Sequence, residues 1–322
     1  MKHKYIFSVV ALASAALGCL TSCDTTEEAL EIQKLTTYDD QYYQNLRDFK
    51  KSDHEISYVY YAAWAPLEGA TDAKDPASWG ERLVGLPDSI DIVNLWMGIP
   101  TPDAHPTAYK DMVECQQKKG TRFVFHADAS HYGQQFWYRD ENFNIDKSRI
   151  ITLHSGNEEE LRAYARWAVD TVVTCGLDGV DFDYEGWNSE NMMIVADECN
   201  KYFGPKGKWA DKLFIVDYFG GSPSTDIDQY CDYLIKQAYS AQGAGTGAGG
   251  HDDAKTVYCE SFGHYPTGGQ ILKYAAWEPG GNKQKGGCGA YYVDNNYFGS
   301  SDGIPYSAIR KAIQIMNPAL NK

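Results

Sequence analysis

Eight short runs rich in β-branched and aromatic residues recur along this chain of 322 residues, and their pacing limits the fold more than any other feature. They span 56–63, 91–97, 121–127, 178–185, 213–219, 233–239, 256–262 and 288–294. Their starts average about 33 residues apart, the length of a strand plus a crossover helix. Alternation of that kind predicts an α/β fold, a single-domain (β/α)8 TIM barrel over residues 51–322. An open doubly wound sheet is the alternative, but no GxGxxG or GxxxxGK[ST] follows any of the runs. The glycine-rich stretch 243–250 reads as a loop, because no Lys or helix start follows where a phosphate cradle needs them.

Helical signals fill the gaps. Ser155 and Asn157 offer caps, Glu158 to Glu160 suit a first turn, and Leu161, Tyr164, Ala165, Ala168, Val172 and Cys175 follow at helical spacing. Residues 188–203 and 304–316 predict two more helices, and 106–119 carry a weaker pattern ending at Gly120. Two gaps break the pacing. The one from 127 to 157 is long and aromatic, and the one from 219 to 233 is too short for a full helix.

The amino terminus carries targeting information. Lys2, His3 and Lys4 precede an apolar run from Ile6 to Leu17, too short to span a bilayer and long enough for a signal peptide. Leu20-Thr21-Ser22-Cys23 resembles the bacterial lipoprotein signal, with residues 1–22 removed and Cys23 lipidated. Residues 23–50 then read as a tether and N-terminal extension. The expected location is the bacterial cell envelope, exported and lipid-anchored on the periplasmic or outer side. Beyond Cys19 and Cys23 lie Cys115, Cys175, Cys199, Cys231, Cys259 and Cys288, with no CxxC pair and no His at zinc-ligand spacing. No metal is expected, and most of these thiols read as small buried hydrophobes. The net charge of −15 repels a polyanion and argues against nucleic acid as a partner. The 24 Tyr and 8 Trp suit sugar faces, though they also suit cores and interfaces.

The chemistry concentrates in Asp178-Gly179-Val180-Asp181-Phe182-Asp183-Tyr184-Glu185. Alternate residues of a strand share a face, so Asp181, Asp183 and Glu185 point one way and Val180, Phe182 and Tyr184 the other. The apolar set belongs under the helices, which turns the three carboxyls into the barrel. Like charges in a confined interior cannot all stay ionised, so at least one pKa should rise and a proton be shared. Glu185 comes last, at the carboxyl end of the strand, where barrel active sites sit. A solvated acidic strand or a hard-cation site is the competing reading of such a run. Asp178, on the other parity, reads as a structural hydrogen-bonding residue.

The octapeptide matches DGxDxDxE at every fixed position, and on this motif the chain resembles glycoside hydrolase family 18. The motif falls on the fourth of eight predicted strands, where that family carries it. Gln237-Ala238-Tyr239 ends the sixth strand and is similar to the family's Tyr preceded two residues earlier by Met or Gln. Gln at that place looks more like the endo-β-N-acetylglucosaminidases than the chitinases. The resemblance implies a retaining, substrate-assisted hydrolysis without a cofactor. Glu185 would be acid and base, and Asp183 would hold the substrate's acetamide. Asp181 would share a proton with Asp183, and Tyr239 would orient the acetamide oxygen. Gln237 reads either as a subsite contact or as a satisfied interior amide. Trp64, Trp96, Tyr218, Glu260, Tyr292 and Asn295 lie near predicted strand ends, as sugar contacts or as core.

Two places depart from the family pattern. The third strand reads Phe125-His126-Ala127-Asp128-Ala129-Ser130 where many members carry SxGG, and Tyr291 and Tyr292 stand where a Trp often floors the site. Only 25 residues, 263–287, separate the seventh and eighth strands, too few for the insertion domain of processive chitinases. An open groove suits a branched glycan. The expected activity is therefore that of an endo-β-N-acetylglucosaminidase on the GlcNAc-β1,4-GlcNAc core of glycoprotein N-glycans. A chitinase-like hydrolase and a non-catalytic glycan-binding barrel are the alternatives.

Overall fold

Each of the eight runs becomes a strand of one closed parallel barrel in the computed structural model, which describes residues 35–62, 79–127, 132–280 and 284–319. The barrel strands are β1 (Ile56–Tyr61), β2 (Ile92–Leu95), β3 (Arg122–Ala127), β6 (Gly179–Asp183), β7 (Leu213–Tyr218), β8 (Tyr233–Gln237), β9 (Thr256–Ser261) and β10 (Gly287–Tyr291). They follow one another around the barrel in chain order, and β10 closes against β1.

Both faces of these strands are covered, and the alternation sorts the side chains. Val59, Tyr61, Val180, Phe182, Val216 and Leu234 join the core beneath the helices. Ile56, Tyr58, Tyr60, Ile92, Val124, Leu213, Ile215, Ile235 and Val257 fill the barrel itself. Closure depends on Gly289: a Cβ there would lie 1.8 Å from the Tyr58 carbonyl oxygen.

Four of the described helices answer to their predicted spacing. The helices are α1 (Asp40–Lys51), α2 (Pro106–Glu114), α3 (Glu158–Thr174), α4 (Ser189–Cys199), α5 (Ile271–Ala276), α6 (Asn295–Phe298) and α7 (Ser307–Met316). Asn157 caps α3, accepting from the Glu160 N–H at 3.3 Å, and Leu161, Tyr164, Ala165, Ala168 and Val172 are buried. Arg162, Arg166 and Lys201 surround the fully buried Glu198 of α4, at 3.3, 2.7 and 2.7 Å. The weak pattern at 106–119 is α2 followed by a π turn, Cys115–Lys119, ending at left-handed Gly120.

Two features differ from expectation. The boundary at residue 51 is too late: the compact unit starts at Leu35 and includes α1, which the sequence reading placed in the extension. Its Arg47 reaches the Lys118 carbonyl at 2.8 Å and its Lys50 the Thr121 hydroxyl at 3.0 Å, so α1 covers the amino-terminal end of the barrel. The gap after β3 holds an antiparallel hairpin, β4 (Gln135–Arg139) and β5 (Ile145–Thr152), packed on α3 through Phe136 and Ile151. As the short gap implied, a 3-10 turn, Thr225–Gln229, and no full helix lies between β7 and β8. Between β9 and β10 the described residues hold only α5 and turns, leaving the groove open on that side. Residues 1–34, with the signal segment and Cys23, lie outside the described residues, and so does Trp64. The six described cysteines are free thiols, five of them buried. No helix among the described residues is long and apolar enough to cross a membrane.

Candidate active site

Strand β6 builds the site. Gly179 opens it on the inward parity, where a Cβ would sit 2.5 Å from the Leu213 carbonyl oxygen. The next inward residues, Asp181 and Asp183, climb toward the carboxyl end, while Val180 and Phe182 enter the outer core. The strand ends at Asp183. Glu185 lies just beyond it, exposed, with its backbone N–H donating to Asp183 Oδ1 at 3.0 Å.

Beneath the opening the carboxyls are packed among neutral donors. Asp181 is fully buried and accepts from the Tyr58 hydroxyl and from Asn94 Nδ2 at 2.9 Å. A third carboxyl, Asp217 on β7, pairs in register with Asp183. It is also fully buried and accepts from the Tyr60 hydroxyl at 2.6 Å and from Gln237 Nε2 at 3.2 Å. His126 Nδ1 stands 4.0 Å from Asp217 Oδ2.

Burial decides how these groups titrate. It pushes Asp181 up to about 7, with hydrogen bonds from Tyr58 and Asn94 pulling the other way. Burial, and then the charge of Asp217, pushes Asp183 up to about 9. Burial and the charge of Asp181 hold Asp217 well above the carboxylate range. Burial also keeps the hydroxyls of Tyr58, Tyr60 and Tyr239 protonated, so they act as donors. The site is thus a stack of mostly neutral acids with one water-accessible carboxyl at its rim.

Above the stack opens a cavity of about 610 Å³, lined by Tyr60, Trp96, Met97, Gly98, His126, Asp183, Glu185, Phe219, Gln237, Tyr239, Gln242 and Tyr291. The lining includes no Lys or Arg. One wall is aromatic. Phe219 stacks on Tyr239 at 5.8 Å between centroids, Tyr239 on Tyr291 at 5.7 Å, and Trp96 meets Tyr291 edge-on at 5.3 Å. Such a wall suits the apolar face of a sugar, and the rim carboxyl can give and take a proton.

The structure therefore brings Glu185, Asp183, Tyr239, Gln237 and Trp96 to one cavity, with Asp181 directly below. Other expected contacts stand elsewhere. Tyr218 is corrected: Asp217 takes the inward parity, which turns Tyr218 into the outer core beside His251. Tyr292 adopts a left-handed φ of 53° just past β10 and packs on Tyr291 and Trp96 outside the lining. Asn295 opens α6 and donates to the Phe262 carbonyl at 3.3 Å, away from the cavity. Glu260 is fully buried, and the backbone N–H groups of Ser240, Ser261 and Gln270 donate to it. Asp178 has the structural role read for it, accepting from the Phe123 N–H at 2.9 Å.

Sequence reasoning missed Asp217, Tyr58, Tyr60, Asn94, His126, Phe219, Met97 and Gln242. The first six share one recoverable signal. In LFIVDYF, ISYVYY, IVNL and RFVFHA they occupy the parity that continues the inward residues of their own strands.

Comparison with known proteins agrees with the geometry. A family model described as glycoside hydrolase family 18, BT1044-like, matches residues 20–253. Endo-beta-N-acetylglucosaminidase F2 of Elizabethkingia meningoseptica is 24% identical over 359 residues, covering 97% of this chain and 98% of that protein. Among solved structures, BT1044 superposes with a TM-score of 0.63 at 21% identity, over 88% of this chain and 94% of that one. The apo endo-beta-N-acetylglucosaminidase of Cordyceps militaris gives 0.64 at 20%, over 88% and 98%. That enzyme has also been solved in mutant form with fucosyl-N-acetylglucosamine-Asn. At these identities the solved structures speak for the fold.

Proposed function

Because the chain belongs to glycoside hydrolase family 18, and so is a glycoside hydrolase, we propose that it is a retaining endo-β-N-acetylglucosaminidase that cuts between the two GlcNAc residues of the N-glycan core. One observation carries the mechanism. Of the two carboxyls that line the cavity, Asp183 is kept neutral by burial and tied to the Glu185 N–H. A neutral acid is a poor nucleophile, so Glu185 has no carboxylate partner to attack the sugar. The nucleophile then has to arrive with the substrate, as the carbonyl oxygen of a 2-acetamido group. The family is among those that depart from the two-carboxylate scheme in this way.

The steps follow from position. Glu185, at the rim, protonates the glycosidic oxygen. The acetamide carbonyl attacks C1 from the opposite face, and the aglycone leaves as an alcohol. Asp183 receives the acetamide N–H, and the Tyr239 hydroxyl donates to the acetamide oxygen, which fixes the attack geometry. The oxazolinium is opened by water, whose proton returns to Glu185, and the anomeric configuration is retained. Gln237 holds Asp217 beneath while its side chain lines the cavity, so it joins the sugar site to the acid stack.

An N-glycan substrate is supported by what the relatives are named for and by the absence of an insertion domain among the described residues after β9. The reading includes export and lipid anchoring through Cys23, which the mass of the amino-terminal peptide from native membranes would test.

The deciding experiment digests one high-mannose and one complex-type glycoprotein and weighs both products. A protein left with a single GlcNAc per site, and a released glycan ending in GlcNAc, is the expected result. Soluble oligosaccharides from chitin, with glycoproteins untouched, would refute the N-glycan assignment. Binding without any mass change would make the barrel a lectin.

A further inference from the structure

Glu260, near the end of β9, is fully buried and lies outside the lining of the sugar cavity, yet four donors converge on it. Its Oε1 accepts from the backbone N–H groups of Ser240 at 3.0 Å and Ser261 at 2.8 Å. Its Oε2 accepts from the Ser240 hydroxyl at 2.6 Å and from the Gln270 N–H at 2.9 Å. The fold reserves room for this approach: Gly269 has a left-handed φ of 51°, and a Cβ there would lie 2.8 Å from Oε2. With both oxygens satisfied by protein, Glu260 has nothing to offer a substrate directly. What it can do is hold its donors in place.

Two of those donors belong to Ser240, the residue after Tyr239. Tyr239 leads into the 3-10 turn Ser240–Gln242, and the Gln242 N–H closes on the Tyr239 carbonyl at 3.0 Å. The residue before Tyr239 is held as well, because the Tyr274 hydroxyl of α5 donates to the Ala238 carbonyl at 2.6 Å. Tyr239 thus stands between two backbone anchors, with its ring stacked on Phe219 and Tyr291. Its hydroxyl makes no hydrogen bond to protein among the described residues. The place of that hydroxyl in the cavity is therefore set by the backbone on either side and by ring stacking.

We propose that Glu260 is a positioning residue for the hydrolysis: through Ser240 it fixes the backbone of Tyr239, and so the place of the hydroxyl that meets the acetamide oxygen. The inference rests on the role given to Tyr239 above. A displacement of about 1 Å spoils the alignment that attack on C1 needs and lowers the rate by up to roughly 10²-fold. Glu260→Gln is the informative replacement. It keeps the shape of the side chain, but each carboxyl oxygen faces at least one backbone N–H. Whichever way the new amide turns, its NH2 group meets a donor, and the turn after Tyr239 has to shift.

The test is a double-mutant cycle in the full chain, joining Glu260→Gln with Tyr239→Phe. Both kcat and KM are measured per folded molecule, with the folded fraction taken from circular dichroism. The substrate is whichever of a high-mannose glycopeptide and a β1,4-GlcNAc tetramer the wild type cuts. In the wild-type background Glu260→Gln should lower kcat by roughly 10-fold or more, with KM within about three-fold. In the Tyr239→Phe background it should change kcat by less than about two-fold, because the hydroxyl it positions is already gone. An unchanged kcat, or an equal loss in both backgrounds, would overturn the proposal; the equal loss would make Glu260 a support of the fold alone. If Tyr239→Phe by itself leaves kcat whole, the acetamide role of Tyr239 fails and the proposal falls with it. A costly Tyr239→Phe with additive losses removes the proposal and leaves that role standing. Should Glu260→Gln not fold, Ser240→Ala takes its place in the cycle, since it deletes only the donor at 2.6 Å. A loss confined to the background that keeps the Tyr239 hydroxyl then supports the proposal, and equal losses overturn it.

Discussion

Replacing Asp183 by Asn should strengthen the fold while disabling the enzyme, and the gain should grow with pH. Burial and the nearby Asp217 raise Asp183 from 3.8 to about 9. Between those values the folded protein holds a proton that the unfolded chain has released. Stability is therefore full below about pH 4 and falls as pH rises toward 9, by about 1.4 kcal/mol per unit. At pH 7 the interval from 3.8 amounts to about 4 kcal/mol set against folding. Asn mimics the protonated acid, since its oxygen can accept the Glu185 N–H and its amide can donate downward, yet it never ionises. The variant should escape the penalty. Urea unfolding of both proteins at pH 5 and pH 7 measures it. The stability difference in favour of the variant should widen by about 3 kcal/mol between those pH values. A difference that stays constant with pH would refute the argument. Turnover should meanwhile drop by roughly 10² or more, because the group that becomes anionic beside the acetamide is gone.

Other substitutions probe separate parts of the molecule. Glu185→Gln should lower turnover by at least roughly 10² while glycan binding, read by calorimetry, stays intact; unchanged turnover would remove Glu185 from its role. Tyr239→Phe should cost roughly 10² in kcat on a glycopeptide with an unaltered circular dichroism spectrum, and an undiminished kcat would mean that its hydroxyl does not meet the acetamide. Arg166→Ala removes one of the three cations on the buried Glu198, at 2.7 Å, and should cost about 1–3 kcal/mol in urea unfolding, since Arg162 and Lys201 still pair with it. Pairing it with Glu198→Gln should recover part of that loss, and no recovery would place the effect in packing. Gly289→Ala drives a Cβ to within 1.8 Å of a backbone oxygen where the barrel closes. It should cost about 3 kcal/mol or more, seen as a lowered melting temperature, and a neutral result would show that β1 and β10 can separate locally.

Much of this architecture was legible along the chain. Runs such as ISYVYY and LFIVDYF are buried on both faces, so β-branched and aromatic residues crowd them and mark them as barrel strands. The helix at Glu158–Thr174 was legible because its apolar residues repeat at the helical period behind a capping Asn157. The β4–β5 hairpin was not, because most of β5 is exposed and mixed in polarity, and its order comes from packing on α3. Asp40–Lys51 was also missed as part of the domain. Its anchors, Arg47 to the Lys118 carbonyl and Lys50 to Thr121, join residues 71 apart.

The carboxylate strand shows where local pattern stops. Period-two alternation on one strand is enough to place Asp181 and Asp183 on the inward face and Val180 and Phe182 on the outward one. It says nothing about which residues of other strands arrive at the same height. Asp217 meets Asp183 only because β7 pairs with β6 in that register, and Tyr60 reaches across the barrel from 157 positions away in the chain. Tyr218 fails as a sugar contact for the same reason, being one residue from a position whose inward direction the barrel had set. Strand identity and facing follow from interactions between near neighbours, which the chain writes in order. The buried acid stack and the aromatic wall follow from closure of the barrel, which brings distant residues within ångströms and excludes the water that would otherwise keep their charges apart.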